Sequence, residues 1–85
     1  MKVTVLFFAS LREQLGVSRE ELELPAGIAT LGSLRAHLLA RGGAWSTALA
    51  EGKLLRMAVN QDMAKPATAI KGGDEVAFFP PVTGG

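Results

Sequence analysis

The chain has 85 residues, enough for one small domain and too few for two. Apolar residues make up 48%, which suits a globular fold, and a formal net charge of +1 without any lysine or arginine run argues against a general nucleic-acid binder. The absence of cysteine excludes disulfides and cysteine-ligated zinc, so packing alone must hold the fold.

Residues 2–8, rich in Val, Phe and Thr, read as a first strand. A signal peptide is the competing reading, but the apolar stretch is short and runs straight into Ser10-Leu11-Arg12-Glu13 without a convincing cleavage site. No segment approaches the ~20 apolar residues of a membrane span. The expectation is a cytoplasmic protein, mature from its first residues and without membrane contact. Ser10 and Glu13 have the spacing of a capping box, with Gly16 stopping the helix after about two turns. Residues 20–24 alternate polar and apolar as a half-exposed strand does, and Pro25-Ala26-Gly27 turns the chain.

Thr30 is placed to cap a main helix whose apolar positions Leu31, Leu34, Leu38 and Leu39 fall on one stripe, ended by Gly42-Gly43. A shorter helical piece with Trp45, Ala48 and Leu49 on one face follows, closed by Gly52. Residues 54–59 read as a strand and Asn60-Gln61-Asp62 as a turn. Over residues 63–70, Pro66 restricts any strand to an edge or a break. Lys71-Gly72-Gly73-Asp74 is a turn and Glu75–Phe79 the last strand, followed by Pro80-Pro81-Val82-Thr83-Gly84-Gly85. A mixed sheet with the main helix across one face is the simplest way to bury Leu34 and Leu38.

In the first strand Val3, Val5 and Phe7 point one way and Thr4, Leu6 and Phe8 the other, while in the last Val76 and Phe78 oppose Ala77 and Phe79. Both faces are largely apolar. Either helices or loops cover the second face too, or it is an exposed patch near the root of the tail that docks another protein.

Side-chain chemistry is sparse. His37 is the only histidine and lies within the helical pattern, with no cysteine or Gly-x-Ser-x-Gly elbow for it to serve. Glu20, Glu21 and Glu23 form one short segment, read as a solvated strand edge; no second acidic cluster points to a metal site. Gly72-Gly73-Asp74 lacks the spacing of a phosphate loop and leads into a strand instead of a helix N-terminus.

The C-terminus carries more. At an average glycine content of ~7%, two terminal glycines arise by chance in roughly one chain in two hundred, so the context has to decide. Phe78-Phe79 anchors the segment, Pro80-Pro81 stiffens its first step, and side-chain bulk then falls from Val82 and Thr83 to nothing. Six extended residues reach at most ~20 Å, enough to enter a buried site through a narrow channel. The alternative is a frayed chain end. A terminal carboxylate with pKa near ~3.5 is ionised at neutral pH and a poor electrophile, so it must gain a leaving group such as an adenylate before it can carry anything. With no nucleotide loop here, another protein must perform that step. With no thiol, any carried sulfur must sit on the terminal carbonyl.

The runs Val5-Leu6-Phe7-Phe8-Ala9, Leu11-Arg12-Glu13 with Gly16, Glu51-Gly52-Lys53-Leu54-Leu55, Ala58-Val59-Asn60-Gln61 and, above all, Gly73 through Gly85 resemble the small subunits of molybdopterin synthase. These are sulfur carriers with a ubiquitin-like β-grasp fold. The resemblance implies an α+β domain over residues 1–79, its mixed sheet packed on one main helix, and an extended tail over 80–85. It also implies a defined cycle. A ubiquitin-activating-like adenylyltransferase uses ATP to adenylate Gly85, and a sulfur donor system converts the adenylate to a thiocarboxylate. The tail then enters the large synthase subunit and gives sulfur to a cyclic pyranopterin precursor, in a complex expected to be a heterotetramer. By position, Gly85 is the reactive residue and Gly84 its spacer. Phe8, Met63 and Phe79 form an apolar docking patch, and Pro80, Pro81, Val82 and Thr83 are held by the partner. The chain is then the sulfur-donating part of a sulfurtransferase, with no catalytic side chain, metal or cofactor of its own. Sulfur delivery to thiamine or another thiolated product, and attachment to lysines as a ubiquitin-like modifier, remain alternatives.

Overall fold

The computed structural model describes residues 1–81. Val82, Thr83, Gly84 and Gly85, which the sequence singles out as the working end, lie outside the described residues. The elements in chain order are β1 (Lys2–Phe7), α1 (Ala9–Leu15), β2 (Arg19–Glu23), α2 (Leu31–Leu39), α3 (Ala44–Ala48), β3 (Arg56–Val59), β4 (Asp62–Ala64) and β5 (Glu75–Phe79). The strands form one sheet in the order β2-β1-β5-β3-β4. Only the central β1–β5 pair is parallel; β1–β2, β3–β5 and β3–β4 are antiparallel. A mixed five-stranded sheet with its helices on one face is the ubiquitin-like β-grasp arrangement.

The core lies between that face and the helices. Val3, Val5, Phe7, Val76 and Phe78 project from the two central strands to meet Leu31, Leu34 and Leu38 of α2, and all are essentially inaccessible to solvent. Phe7 stacks on Phe78 at 6.2 Å and takes the Trp45 ring edge-on at 5.4 Å, which ties α3 to the centre of the sheet. The expected stripe of α2 is present, with Leu39 at its half-buried margin.

Capping follows the sequence at one helix and departs from it at another. Thr30 caps α2: its Oγ1 accepts from the Ser33 backbone N–H at 3.1 Å while Ser33 Oγ accepts from the Thr30 N–H at 3.0 Å. At α1 the N-cap is Phe8 with no side-chain capping bond, and Ser10 lies inside the helix. The strand passes directly into the helix through Ala9 at φ 54°, so Ser10 falls two residues beyond the N-cap position and cannot cap. Gly16 ends α1 as expected, in the left-handed conformation at φ 73°.

The second half of the chain is tighter than its sequence implies. β3 begins at Arg56, not at residue 54, and Asp62 belongs to β4 instead of the turn. Asn60 and Gln61 alone make the hairpin, both at positive φ. Residues 65–70, with Pro66, are a strap along the start of α2: Gly32 N–H donates to the Pro66 carbonyl at 2.8 Å and Leu31 N–H to that of Thr68 at 3.0 Å. A Cβ on Gly32 would stand 3.2 Å from the Pro66 oxygen, so the glycine lets the strap lie close. The Gly72-Gly73-Asp74 turn is held by the buried Asp74 carboxylate, which accepts from Lys71 N–H at 2.8 Å and Asn60 Nδ2 at 3.0 Å.

Candidate functional site

The register determines what shares the second face. Leu6 of β1 lies opposite Ala77 of β5, Ala77 opposite Ala58 of β3, and Ala58 opposite Met63 of β4, giving one apolar row across the sheet. The next row toward the C-terminal end of β5 contains Phe79, with Arg56 opposite it. Phe8 reaches this row because β1 and β5 are parallel, so both strands end at the same edge. Its N–H donates to the Phe78 carbonyl at 3.3 Å and its ring meets Phe79 edge-on at 6.5 Å.

Among the described residues no helix covers this face. Phe8 is 44% exposed and Met63 60%, while Leu6, Ala77 and Phe79 are half-buried by their neighbours. This face is therefore open among the described residues, and its exposed part stands where the chain leaves β5. Phe8, Met63 and Phe79, grouped in the sequence by resemblance alone, share one face of the sheet. Pro80 and Pro81, both half-buried, carry the chain onward from Phe79. Val82, Thr83, Gly84 and Gly85 fall outside the described residues.

Sequence reading missed Leu54. It is 77% exposed, more than any other large apolar side chain among the described residues, and lines a cleft of about 410 Å³ with Met63 and Pro81. The missed signal is an apolar residue in a loop beside Gly52 and Lys53, which the sequence reads as the start of a strand. Arg35 was missed as well, being one of several scattered cations in the sequence. Its Nε donates to the Leu49 carbonyl at 2.9 Å, and its Nη2 to the carbonyls of Ala50 and, at 3.0 Å, Lys53. Burial lowers the Arg35 pKa, an effect that nearby Glu51 opposes.

The remaining candidates have structural roles. His37 is half-buried on α2, and no group of metal-ligating side chains occurs among the described residues. The acidic segment of β2 is not simply a solvated edge. Glu20 is half-buried and takes a bidentate bond from Arg41, at 3.0 and 2.6 Å, while Glu23 pairs with the terminal amine of Met1 at 3.1 Å. The Arg41 hydrogen bonds hold the Glu20 carboxyl below the usual carboxylate range against the opposing effect of burial, and the same guanidinium stands 4.6 Å over the Trp45 ring. The described residues thus present an apolar surface beside the end of β5, from which the chain continues through Pro80 and Pro81. No helix among them is long and apolar enough to cross a membrane.

The same fold recurs in known proteins, and the sequence matches others along its length. A molybdopterin synthase sulfur carrier subunit from Haemophilus influenzae is 48% identical over 83 residues, spanning 98% of this chain and 99% of that protein. The small archaeal modifier protein 1 of Haloferax volcanii superposes with a TM-score of 0.74 at 28% identity, covering 95% of this chain and 98% of its own. In a complex of subunits 1 and 2 of the molybdopterin-converting factor from Helicobacter pylori, the matching chain superposes with a TM-score of 0.67 at 27% identity, covering 100% of both chains. The model of the ThiS family matches residues 5–85, from β1 through both terminal glycines. The chain belongs to the ThiS family.

Proposed function

We propose that this chain is the sulfur carrier subunit of a molybdopterin synthase and that Gly85 is its only reacting residue. The observation that carries the reading is the uncovered apolar face formed by Phe8, Met63 and Phe79 at the end of the sheet from which the Gly-Gly segment departs. The 48% identity to a synthase sulfur carrier along nearly the whole chain supports it. Residues 1–79 act as the handle that partners recognise, and residues 80–85 as the arm that delivers the terminal carbonyl.

The chemistry balances without any side chain of this protein. An adenylyltransferase joins the Gly85 carboxylate to the α-phosphate of ATP, releasing pyrophosphate. Sulfur at the sulfide level from a donor protein attacks the activated carbonyl, AMP leaves with the electron pair of the broken C–O bond, and a thiocarboxylate remains. In the large subunit the thiocarboxylate sulfur bonds to a precursor carbon as an oxygen substituent leaves that carbon with the electron pair of its C–O bond. Water then cleaves the resulting thioester, leaving the sulfur on the product and restoring the Gly85 carboxylate. Two rounds supply the two sulfurs of a dithiolene, consistent with two carriers acting with two large subunits in a cytoplasmic heterotetramer.

Removing Gly85 tests this directly. The shortened chain should fold and bind the large subunit yet fail to reconstitute conversion of the precursor; full conversion by the shortened chain would exclude the mechanism. A second reading, attachment to lysines as a modifier, is favoured by the likeness to the archaeal modifier protein. It predicts lysine-linked adducts that vanish when Gly85 is removed.

A further inference from the structure

Leu54, 77% exposed, does not stand alone: it shares a cleft with the exposed Met63 and with Pro81, so it belongs to a contiguous apolar surface. Its loop is not a loose one. The Arg35 guanidinium ties together the carbonyls of Leu49, Ala50 and Lys53, and Lys53 N–H closes a turn onto the Ala50 carbonyl at 2.8 Å. Three donors from a planar fork fix the loop immediately before Leu54, so the side chain is held outward.

The position is specific. Arg56 lies opposite Phe79 in the antiparallel β3–β5 ladder, and counting outward from that pair brings Leu54 level with Pro81. Both line the same cleft with Met63, so the apolar surface extends from the open face to the root of the tail. Beyond Pro81 the chain has four residues, 82–85, which span at most ~14 Å when fully extended. A protein that holds Gly85 in its active site must therefore place its surface within that distance of Pro81, over Leu54. Lys53 and Arg56 flank the cleft, and among the described residues neither has an ion-pair partner.

We infer that the Leu54 loop, positioned by Arg35, is a second docking element for the large subunit, fitting an apolar socket edged with carboxylates that face Lys53 and Arg56. The inference rests on the carrier reading and adds to the Phe8–Met63–Phe79 patch. Leu54 supplies contact area at the mouth of the tail channel, while the two cations steer the encounter and orient the tail toward its entrance.

The test measures binding of the full chain and its variants to the purified large subunit from the same organism, at low and high salt. Leu54→Asp should weaken binding at least tenfold with an unchanged unfolding midpoint, and Leu54→Ser should weaken it in the same direction. Lys53→Glu with Arg56→Glu should slow association severalfold at low salt, and the difference should close at high salt. Arg35→Lys should weaken binding and speed amide exchange across residues 50–53, because an ammonium cannot hold three carbonyls in a fork. Native binding by Leu54→Asp alongside impaired binding by Phe79→Asp would overturn the inference and leave the carrier reading standing. Native binding by both variants would overturn the inference and the carrier reading together.

Discussion

The helix-covered face of the sheet and the open face are built from the same strands and much the same residue types. On the covered face Val3, Val5, Phe7, Val76 and Phe78 are at most 1% exposed, whereas on the open face Phe8 is 44% and Met63 60% exposed. Phe78 and Phe79 are adjacent in the chain and face opposite environments. An apolar residue on the first face is accounted for by the helices above it. On the second face Leu6, Ala77 and Phe79 are only half-buried by their neighbours, and Phe8 and Met63 are left largely open. A sheet with helices on one side needs one apolar face, and an uncovered apolar second face is the kind of surface on which other proteins dock.

Substitutions on either side of β5 sharpen the contrast most. Phe78→Ala should cost about 3–5 kcal/mol of stability, a large share of what a domain this size possesses, and denaturant unfolding would show it. Phe79→Asp should cost only about 1 kcal/mol, from the lost edge-on contact with Phe8, while sharply weakening binding to the large subunit. Comparable stability losses at the two positions would mean that the open face is part of the core.

The smallest effect lies at the rim of the covered face, where Glu20 and Arg41 join β2 to the end of α2. The Glu20 pKa is lowered on folding, chiefly by the Arg41 hydrogen bonds. The pair therefore contributes its full stability above the ordinary carboxylate pKa and loses it as pH falls through the lowered folded value. Glu20→Gln should cost less than about 1 kcal/mol at neutral pH, because both side chains are about one-third exposed, at 29% and 32%. It should also flatten the fall in stability below the usual carboxylate range, as read from unfolding midpoints at several pH values. An unchanged acid limb would assign that fall to other carboxylates.

Much of the covered face was legible in the sequence, because buried positions leave periodic traces. The Leu31, Leu34 and Leu38 stripe, the Thr30 cap and the alternation in β1 each express a local rule. Ser10 obeyed such a rule and was misplaced by it, since the route of the chain through Phe8 and Ala9 settled where α1 starts. The open face was legible only as an excess: two apolar faces where one would serve. Hydropathy cannot tell which is covered; the parallel pairing of β1 and β5 does that by bringing Phe8 beside Phe79. Arg35 and Leu54 left no trace at all. An arginine bound to three carbonyls across 14 to 18 residues of sequence has no periodic signature, and a lone leucine near a strand is read as part of it.

The central claim is that Gly85 carries sulfur, and mass spectrometry of the C-terminal peptide tests it most directly. The chain is incubated with ATP, the activating enzyme and a sulfur donor, then cleaved after Lys71. The released peptide from Gly72 to Gly85 contains no methionine, which matters because exchanging oxygen for sulfur adds nearly the same mass as oxidising one. A thiocarboxylate on Gly85 that depends on ATP is the predicted result. An unmodified Gly85, with a known carrier loaded in parallel, would contradict the claim.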